Sequence, residues 1–365
     1  MSTDAPASFR HQPHPTPVAA AERAERLIDP GFGQVFTDHM AMVDFTDEAG
    51  WHDARIVARA PLTMDPASSV LHYAQEIFEG LKAYRLADGG TALFRPQANA
   101  TRFRNSARRM AMAELPEELF VGSIEALVRA DAAWIPESEG GALYLRPFMI
   151  ASEVFLGVKP SARYTYMAIA SSVGAYWKGG ARAISIWVSR EHTRAAPGGT
   201  GAAKCGGNYA ASLLAQSEAI RQGCDQVVFL DAAERRWVEE LGGMNVFFVF
   251  ADGTLRTPPL TGTILPGITR DSLLTIARAQ GLRVEEVPYS IDQWRSDAES
   301  GVLTEAFACG TAAVVTAIGR VADGDAGFAI GSGGIGQITR ALHDSLVSIQ
   351  RGTAPDRQGW LHRID

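Results

Sequence analysis

Apolar and polar positions alternate in short runs across residues 36–66, the spacing of antiparallel strands with one face turned to solvent. A strand ends near Pro96, and residues 98–110 then carry an arginine-rich pattern of helical period. A second helical pattern covers 123–134. Residues 142–154 read as a buried strand and 163–171 as another. Tyr176-Trp177-Lys178-Gly179-Gly180 has the character of a linker. Beyond it come a strand pattern at 183–189, a helix at 208–222 with Gly223 in the place of a C′ glycine, and a strand at 225–231. Two apolar runs, 244–250 and 255–258, flank Asp252-Gly253, a hairpin signal. A helix at 270–280 stops at Gly281. Ile338, Leu342, Leu346 and Ile349 line one face of a last helix. Strands and helices follow one another without regular alternation, which predicts an α+β fold divided near residue 180.

Composition narrows the class. At about 150 residues per domain, 365 residues suggest two domains. The hydrophobic fraction of 46% and charged fraction of 21% are globular values, and such a chain needs no disulfide or metal staple. A net charge of -7 argues against a nucleic-acid partner. Cys205, Cys224 and Cys309 form neither C-x-x-C nor zinc spacing, so a reducing compartment and no metal are expected. The longest fully apolar stretch, 246–251, is far short of a membrane span. Residues 1–20 are rich in Pro, Ala and His and read as a mobile arm. Asp4, Glu22 and Glu25 argue against a transit peptide, so the cytoplasm is the expected compartment.

Glycine is the one surplus, 36 of 365 residues, and it is clustered. Residues 331–336 spell G-x-G-x-x-G before a helix, but too little chain follows for a dinucleotide-binding βαβ unit. Residues 198–205 resemble a P-loop, except that Ala203 stands where Gly is needed and Cys205 where Ser or Thr must reach magnesium. What remains is a glycine-rich loop holding one lysine, Lys204. Alone, a flexible loop with a solvated lysine is the plainer reading. Other segments add chemistry. Tyr209 follows closely, Glu239 and Glu240 sit among apolar residues before a Gly pair, Leu265-Pro266-Gly267 opens a helix whose first amides attract anions, and Cys309-Gly310-Thr311-Ala312-Ala313 is a small-residue turn. A lysine that binds pyridoxal phosphate needs these supports: an acid for the ring nitrogen, a donor for the phenolic oxygen and a cup for the phosphate. Singly, each segment is equally an ordinary core aromatic, turn carboxylate or element end.

The segment Gly199-Thr200-Gly201-Ala202-Ala203-Lys204-Cys205-Gly206-Gly207-Asn208-Tyr209 resembles the cofactor-lysine segment of branched-chain amino acid aminotransferases, class IV enzymes of fold type IV. Four more segments agree in order and spacing: Leu71-His72-Tyr73 to Phe78-Glu79-Gly80-Leu81-Lys82, Tyr144-Leu145-Arg146-Pro147, Glu240-Leu241-Gly242-Gly243-Met244-Asn245 and Phe307-Ala308-Cys309-Gly310-Thr311-Ala312. The resemblance runs from about Pro30 to the last residue.

It implies a two-domain fold type IV enzyme, an N-terminal α/β sandwich and a C-terminal pseudo-barrel-like domain. The expected division is arm 1–25, small domain 26–176, linker 177–182 and large domain 183–365, with the site at the domain boundary. Lys204 would hold pyridoxal 5'-phosphate covalently and act as the catalytic base. Tyr209 would bond the phenolic oxygen and Glu240 face the ring nitrogen. Arg102, the Ile268 and Thr269 amides and Thr311 would grip the phosphate. Phe78, Tyr144 and Tyr176 would line the side-chain pocket, Thr311 and Ala312 would meet the substrate carboxylate, and Arg146 would meet the side-chain carboxylate of glutamate. Tyr73, Leu156 and Val158 would come from the second subunit of a homodimer. The reaction implied is ping-pong transamination of leucine, isoleucine and valine with 2-oxoglutarate through pyridoxamine phosphate.

There are departures. Ala313 and Thr316 stand where some members carry a redox C-x-x-C pair, and Gly243 where some have threonine. The rivals are a D-amino acid transaminase, an aminodeoxychorismate lyase and a non-catalytic small-anion binder. The Tyr144-Leu145-Arg146 and Phe78-Glu79-Gly80 segments argue against the first two.

Overall fold

The computed structural model describes residues 8–138, 140–174 and 182–364. The chain divides into two compact units: Met1–Tyr176 with Ala203–Gly206 and Ile349–Asp365, and Trp177–Ala202 with Gly207–Ser348.

The first unit is built on strands β1 (Arg10–His11), β2 (Val35–Thr46), β3 (Gly50–Ala58), β4 (Glu76–Phe78), β5 (Leu81–Arg85), β6 (Thr91–Phe94), β7 (Ala142–Ala151) and β8 (Arg163–Val173). Their order is β1-β3-β2-β8-β7-β5-β6, with β4 paired to β7. The period of two along β7 is plain. Leu143, Leu145, Met149 and Ala151 are fully buried, whereas Tyr144, Arg146, Phe148 and Ile150 on the other face are only partly covered. The helices of this unit begin with α1 (Ala20–Arg26), which buries no residue, and the single turn α2 (Val70–Tyr73), which precedes β4. The buried face of β7 packs on α3 (Pro96–Arg109) and α4 (Glu117–Ala130), where Phe103, Phe120, Ile124 and Leu127 complete the core. Burial of each such side chain is worth roughly 1.5–3 kcal/mol. Helix α4 starts six residues before the expected 123–134 pattern. Ser123 is not a cap: its hydroxyl donates to the Phe120 carbonyl at 2.7 Å and lies 2.8 Å from the Tyr166 hydroxyl.

Two further segments differ from expectation. Arg10 and His11, within the stretch expected as a mobile arm, pair parallel with Arg55 and Ile56 of β3, covering a sheet edge that would otherwise offer unpaired backbone groups. At the far end of the chain, residues expected in the second domain return to the first sheet: β18 (Leu361–Ile364) pairs antiparallel with β6.

The second unit contains β9 (Ile184–Ser189), β10 (Gln226–Leu230), β11 (Val238–Leu241), β12 (Asn245–Phe250), β13 (Thr254–Thr257), β14 (Arg283–Glu286), β15 (Leu303–Gly310), β16 (Val314–Asp323) and β17 (Ala326–Ala329). The order is β11-β10-β9-β16-β15-β12-β13-β14, with β17 beside β16, and β11 also pairs back to β12 through Glu240 and Asn245. Strands β9, β10, β11, β12, β15 and β16 therefore close on themselves, which is the barrel-like core the resemblance implies. Phe247 and Phe307 stack across neighbouring strands at 5.0 Å. Around the sheet lie α5 (Gly206–Arg221), α6 (Ile268–Ala279), α7 (Ile291–Glu299) and α8 (Gln337–Gln350). The G-x-G-x-x-G loop leads into α8, whose first amides are already taken. Glu305 accepts from Ile338 N at 3.0 Å and from Thr339 N at 2.8 Å, and a Cβ on Gly336 would overlap that carboxylate.

Candidate active site

The first unit gathers a cluster around the outer face of β4 and β7. Phe78 pairs with Phe148, so alternation puts Phe78 on the face that carries Tyr144 and Arg146. The Lys204 segment docks here through its backbone: Phe78 N donates to the Lys204 carbonyl at 2.9 Å, and Lys204 N donates to Ser106 Oγ on α3 at 3.0 Å. Lys204 Nζ lies 4.8 Å and Arg146 Cζ 4.9 Å from the Phe78 ring centroid. Both are cation–π contacts. Arg146 also donates to the Tyr144 hydroxyl at 3.2 Å. Gly80 is required beside this cluster, because a Cβ there would collide with the Tyr144 hydroxyl.

Arg102 and Ser106 are four residues apart on α3 and share a helix face. Arg102 is clamped by Glu79, with Nε to Oε1 at 2.7 Å and Nη2 to Oε2 at 2.8 Å, and Asn99 donates to Oε2 at 2.7 Å. Burial drives the Glu79 carboxyl upward, but the Arg102 charge and hydrogen bonds, with the Lys204 charge, outweigh it and hold the group below the usual carboxylate range. Glu79 thus fixes the orientation of the Arg102 guanidinium.

Tyr73, Leu156 and Val158 form a separate patch. The Tyr73 hydroxyl donates to the Leu156 carbonyl, and all three side chains are exposed. Tyr176 lies outside the described residues.

The second unit holds the other residues. The glycine-rich turn is pinned to α5: Thr200 Oγ1 donates to Asn208 Oδ1 at 2.7 Å, and Asn208 Nδ2 donates to the Thr200 carbonyl at 2.8 Å. Gly201 abuts the Thr263 backbone, where a Cβ would not fit. Tyr209 follows on the same helix, beside Gly243. Gly310 in turn packs against Met244 and Gly243, so Tyr209 and the turn bearing Thr311 and Ala312 both border Gly243. That turn ends at Val314, a β-branched residue at φ 60°, a strained conformation of the kind found at ligand sites.

Glu239 and Glu240 are successive on β11, so their side chains leave opposite faces, and both are buried. Their environments differ. Glu240 pairs with Arg194, accepts Leu265 N at 2.9 Å and Asn245 Nδ2 at 3.3 Å, and so has full support for its charge. Glu239 accepts Thr263 Oγ1 at 2.5 Å, and burial pushes its carboxyl above the usual range. Of the two, Glu240 is the acid suited to face a cationic ring nitrogen. Leu265 leads to α6, whose N-cap is Gly267, a residue with no side chain to cap the first turn. The amides of Ile268 and Thr269 thus open a helix whose N-terminus carries a net partial positive charge, with Asp271 in its first turn.

Within each unit the donor set fits pyridoxal phosphate: an amine and a fixed guanidinium in the first, and a supported carboxylate, a tyrosine hydroxyl and an uncapped helix N-terminus in the second. Glu79, Arg194 and Asn245 support these groups, and sequence reasoning gave none of them a role. Glu79 and Asn245 lie inside motif segments, but nothing local to Arg194 or Asn245 signals that they support Glu240. A cavity of 1040 Å³ lined by Phe9, His11, Ile56, Glu117, Val121 and Arg129 shares no residue with these groups. Among the described residues no cluster of His, Cys, Asp and Glu is suited to a metal, and no helix is long and apolar enough to cross a membrane.

Comparison with known proteins gives the family. Amino-transferase class IV matches residues 76–321. The chain belongs to that class and, within it, to the branched-chain-amino-acid aminotransferase family. It is 54% identical over 364 residues to the branched-chain-amino-acid aminotransferase of Mycolicibacterium smegmatis, covering 99% of each chain. It is 55% identical over 352 residues to that of Mycobacterium tuberculosis, covering 95% of this chain and 96% of the relative. Among solved structures, the branched-chain amino acid aminotransferase from Escherichia coli superposes with TM-score 0.73 at 29% identity, covering 90% of this chain and 99% of that one. The branched-chain amino acid aminotransferase from Thermobaculum terrenum, solved in its PLP form, gives TM-score 0.70 at 27% identity, covering 90% of this chain and 98% of that one.

Proposed function

We propose that the protein transfers the amino group of leucine, isoleucine and valine to 2-oxoglutarate, with pyridoxal 5'-phosphate as cofactor. The observation that carries this reading is the Phe78 ring contacted by both the Lys204 amine and the Arg146 guanidinium. An apolar surface bordered by a reactive amine and a cation suits substrates that share an α-amino acid end but differ between an apolar and an acidic side chain.

Bound pyridoxal phosphate supplies an electron sink for the bonds at the substrate Cα. Lys204 Nζ would hold it and, when free, would take the Cα proton as general base and give a proton back as general acid. Glu240, paired with Arg194, would keep the ring nitrogen protonated. Tyr209 would donate to the phenolic oxygen. Arg102, the Ile268 and Thr269 amides and Thr311 would hold the phosphate. Thr311 and Ala312 orient the substrate carboxylate. Phe78, Tyr144 and Tyr176 would exclude water from the side-chain pocket, and Arg146 would receive the distal carboxylate of glutamate. The exposed Tyr73, Leu156 and Val158 patch supports a homodimer in which these residues complete the partner's pocket. The three cysteines, all free, support work in the reducing cytoplasm.

The test is a half-reaction panel. The loaded protein is mixed with one amino acid at a time, and its cofactor absorbance is followed. L-leucine, L-isoleucine, L-valine and L-glutamate are expected to convert it and D-alanine to leave it unchanged. Conversion by D-alanine with no response to L-leucine would overturn the assignment.

A further inference from the structure

We infer that Glu76 sets how Arg146 divides its service between apolar and acidic substrate side chains. The inference rests on the proposed transamination, which requires one pocket to take both. Glu76 pairs with Ile150 and Phe78 with Phe148, so Glu76 lies on the face of β4 and β7 that carries Phe78, Tyr144 and Arg146. Its carboxylate accepts the amide of Gly206, two residues after Lys204, and a Cβ on Gly206 would overlap Glu76 Oε1. Burial holds the Glu76 carboxyl above its usual range, and the Gly206 amide and the Arg146 charge, acting the other way, offset part of that rise.

Arg146 has a matching need. Its Nε is buried without a hydrogen-bond acceptor among the described residues, and its guanidinium rests on the rings of Phe78 and Tyr144. When an apolar side chain covers that guanidinium, a desolvated cation without a counter-charge is costly. Glu76 supplies the counter-charge. When a substrate carboxylate arrives, it becomes the partner of Arg146, and the nearby negative charge of Glu76 weakens its hold. Glu76 therefore favours branched side chains and moderates the grip on dicarboxylates, so that neither substrate of a ping-pong cycle blocks the pocket for the other. This is a specificity role exercised through Arg146. It is separate from the fastening of the Lys204 segment, which any acceptor for the Gly206 amide could perform.

Glu76→Gln separates the two, because the amide side chain keeps the acceptor and removes the charge. Binding of glutarate and of 4-methylvalerate to the loaded enzyme is measured by titration calorimetry. Neither compound has an amino or oxo group to react, so the readout is independent of turnover. Glutarate is expected to bind about two- to fivefold tighter in Glu76→Gln and 4-methylvalerate a few-fold weaker, the sign set by removing one negative charge from the neighbourhood of Arg146. In an Arg146→Met background the same substitution is expected to change neither. Glu76→Asp, which retracts the charge by one methylene, is expected to shift the ratio about two- to threefold in the same direction, and it stands in if the Gln variant does not fold. An unchanged ratio, an equal change for both ligands, or a shift that persists with Met at 146 would overturn the inference. Failure of the unaltered protein to transaminate L-leucine would instead overturn the functional reading, and is measured separately.

Discussion

Two helices of the second unit follow glycine-containing turns, and their N-termini differ in one respect. Helix α8 comes after the fullest glycine motif in the chain, yet Glu305 binds its Ile338 and Thr339 amides. Helix α6 comes after a single Gly267, which as N-cap supplies no side-chain acceptor. Both ends carry the same partial positive charge. What separates them is the group that meets the amides: Glu305 bonds those of α8 from another strand, whereas α6 has a glycine N-cap and Asp271 in its own first turn. The comparison teaches that a glycine pattern marks close backbone approach, and that the approaching group is often part of the same molecule. Glu79 on Arg102 and Glu76 on Gly206 follow the α8 pattern in the first unit.

If internal carboxylates serve stability and the α6 end serves a ligand, substitutions should sort accordingly. The largest effect is expected at Glu79→Gln, which leaves Arg102 buried without its counter-charge, about 3–5 kcal/mol in chemical denaturation near pH 7. The pH dependence follows from the lowered folded-state value of Glu79. Its stabilisation is full above the ordinary carboxylate value of 4.5 and is lost as the pH falls through the lower folded value. The melting curves of parent and variant are therefore expected to converge in acid. An offset that stays constant to low pH would contradict the ion-pair account.

Next comes Glu305→Ala, which strips the α8 amides of their acceptor. A loss of about 1–3 kcal/mol is expected, with affinity for pyridoxal phosphate unchanged. Weaker cofactor binding at equal stability would place a ligand at α8 and break the comparison. The smallest effect on folding is expected at Gly267→Ala. A Cβ there meets the Asn245 side chain, which supports Glu240. Cofactor affinity should drop about tenfold, or roughly 1.4 kcal/mol, in equilibrium titration, with the loss in stability of the unloaded protein well below that of Glu305→Ala.

Much of this arrangement is legible along the chain because it is local. The patterns at 98–110, 208–222 and 270–280 fall within α3, α5 and α6 to within a few residues, and Lys204, Tyr209 and Glu240 lie in contiguous motifs. What escapes is whatever depends on distant partners. Leu361–Ile364 is a strand only because β6 offers it an edge. The pattern at 123–134 misses the first six residues of α4, and within that helix the Ser123 hydroxyl is spent on Phe120 and Tyr166. Arg194 supports Glu240 from 46 positions away, and Glu305 reaches the glycine motif from another strand. Neither pairing leaves a periodic or compositional trace. The expected linker 177–182 lies, but for residue 182, outside the described residues, and a linear division misses two returns to the first unit: residues 203–206, where the Lys204 backbone is bonded to Phe78 and Ser106, and 349–365, whose β18 pairs with β6.

The central claim is that Lys204 is the residue that carries the cofactor. Reduction of the loaded protein with borohydride, followed by peptide mapping, tests it most directly. One phosphopyridoxyl group is expected, on the peptide containing Lys204, with none in Lys204→Ala. A label on another lysine, or equal labelling of Lys204→Ala, would contradict the account.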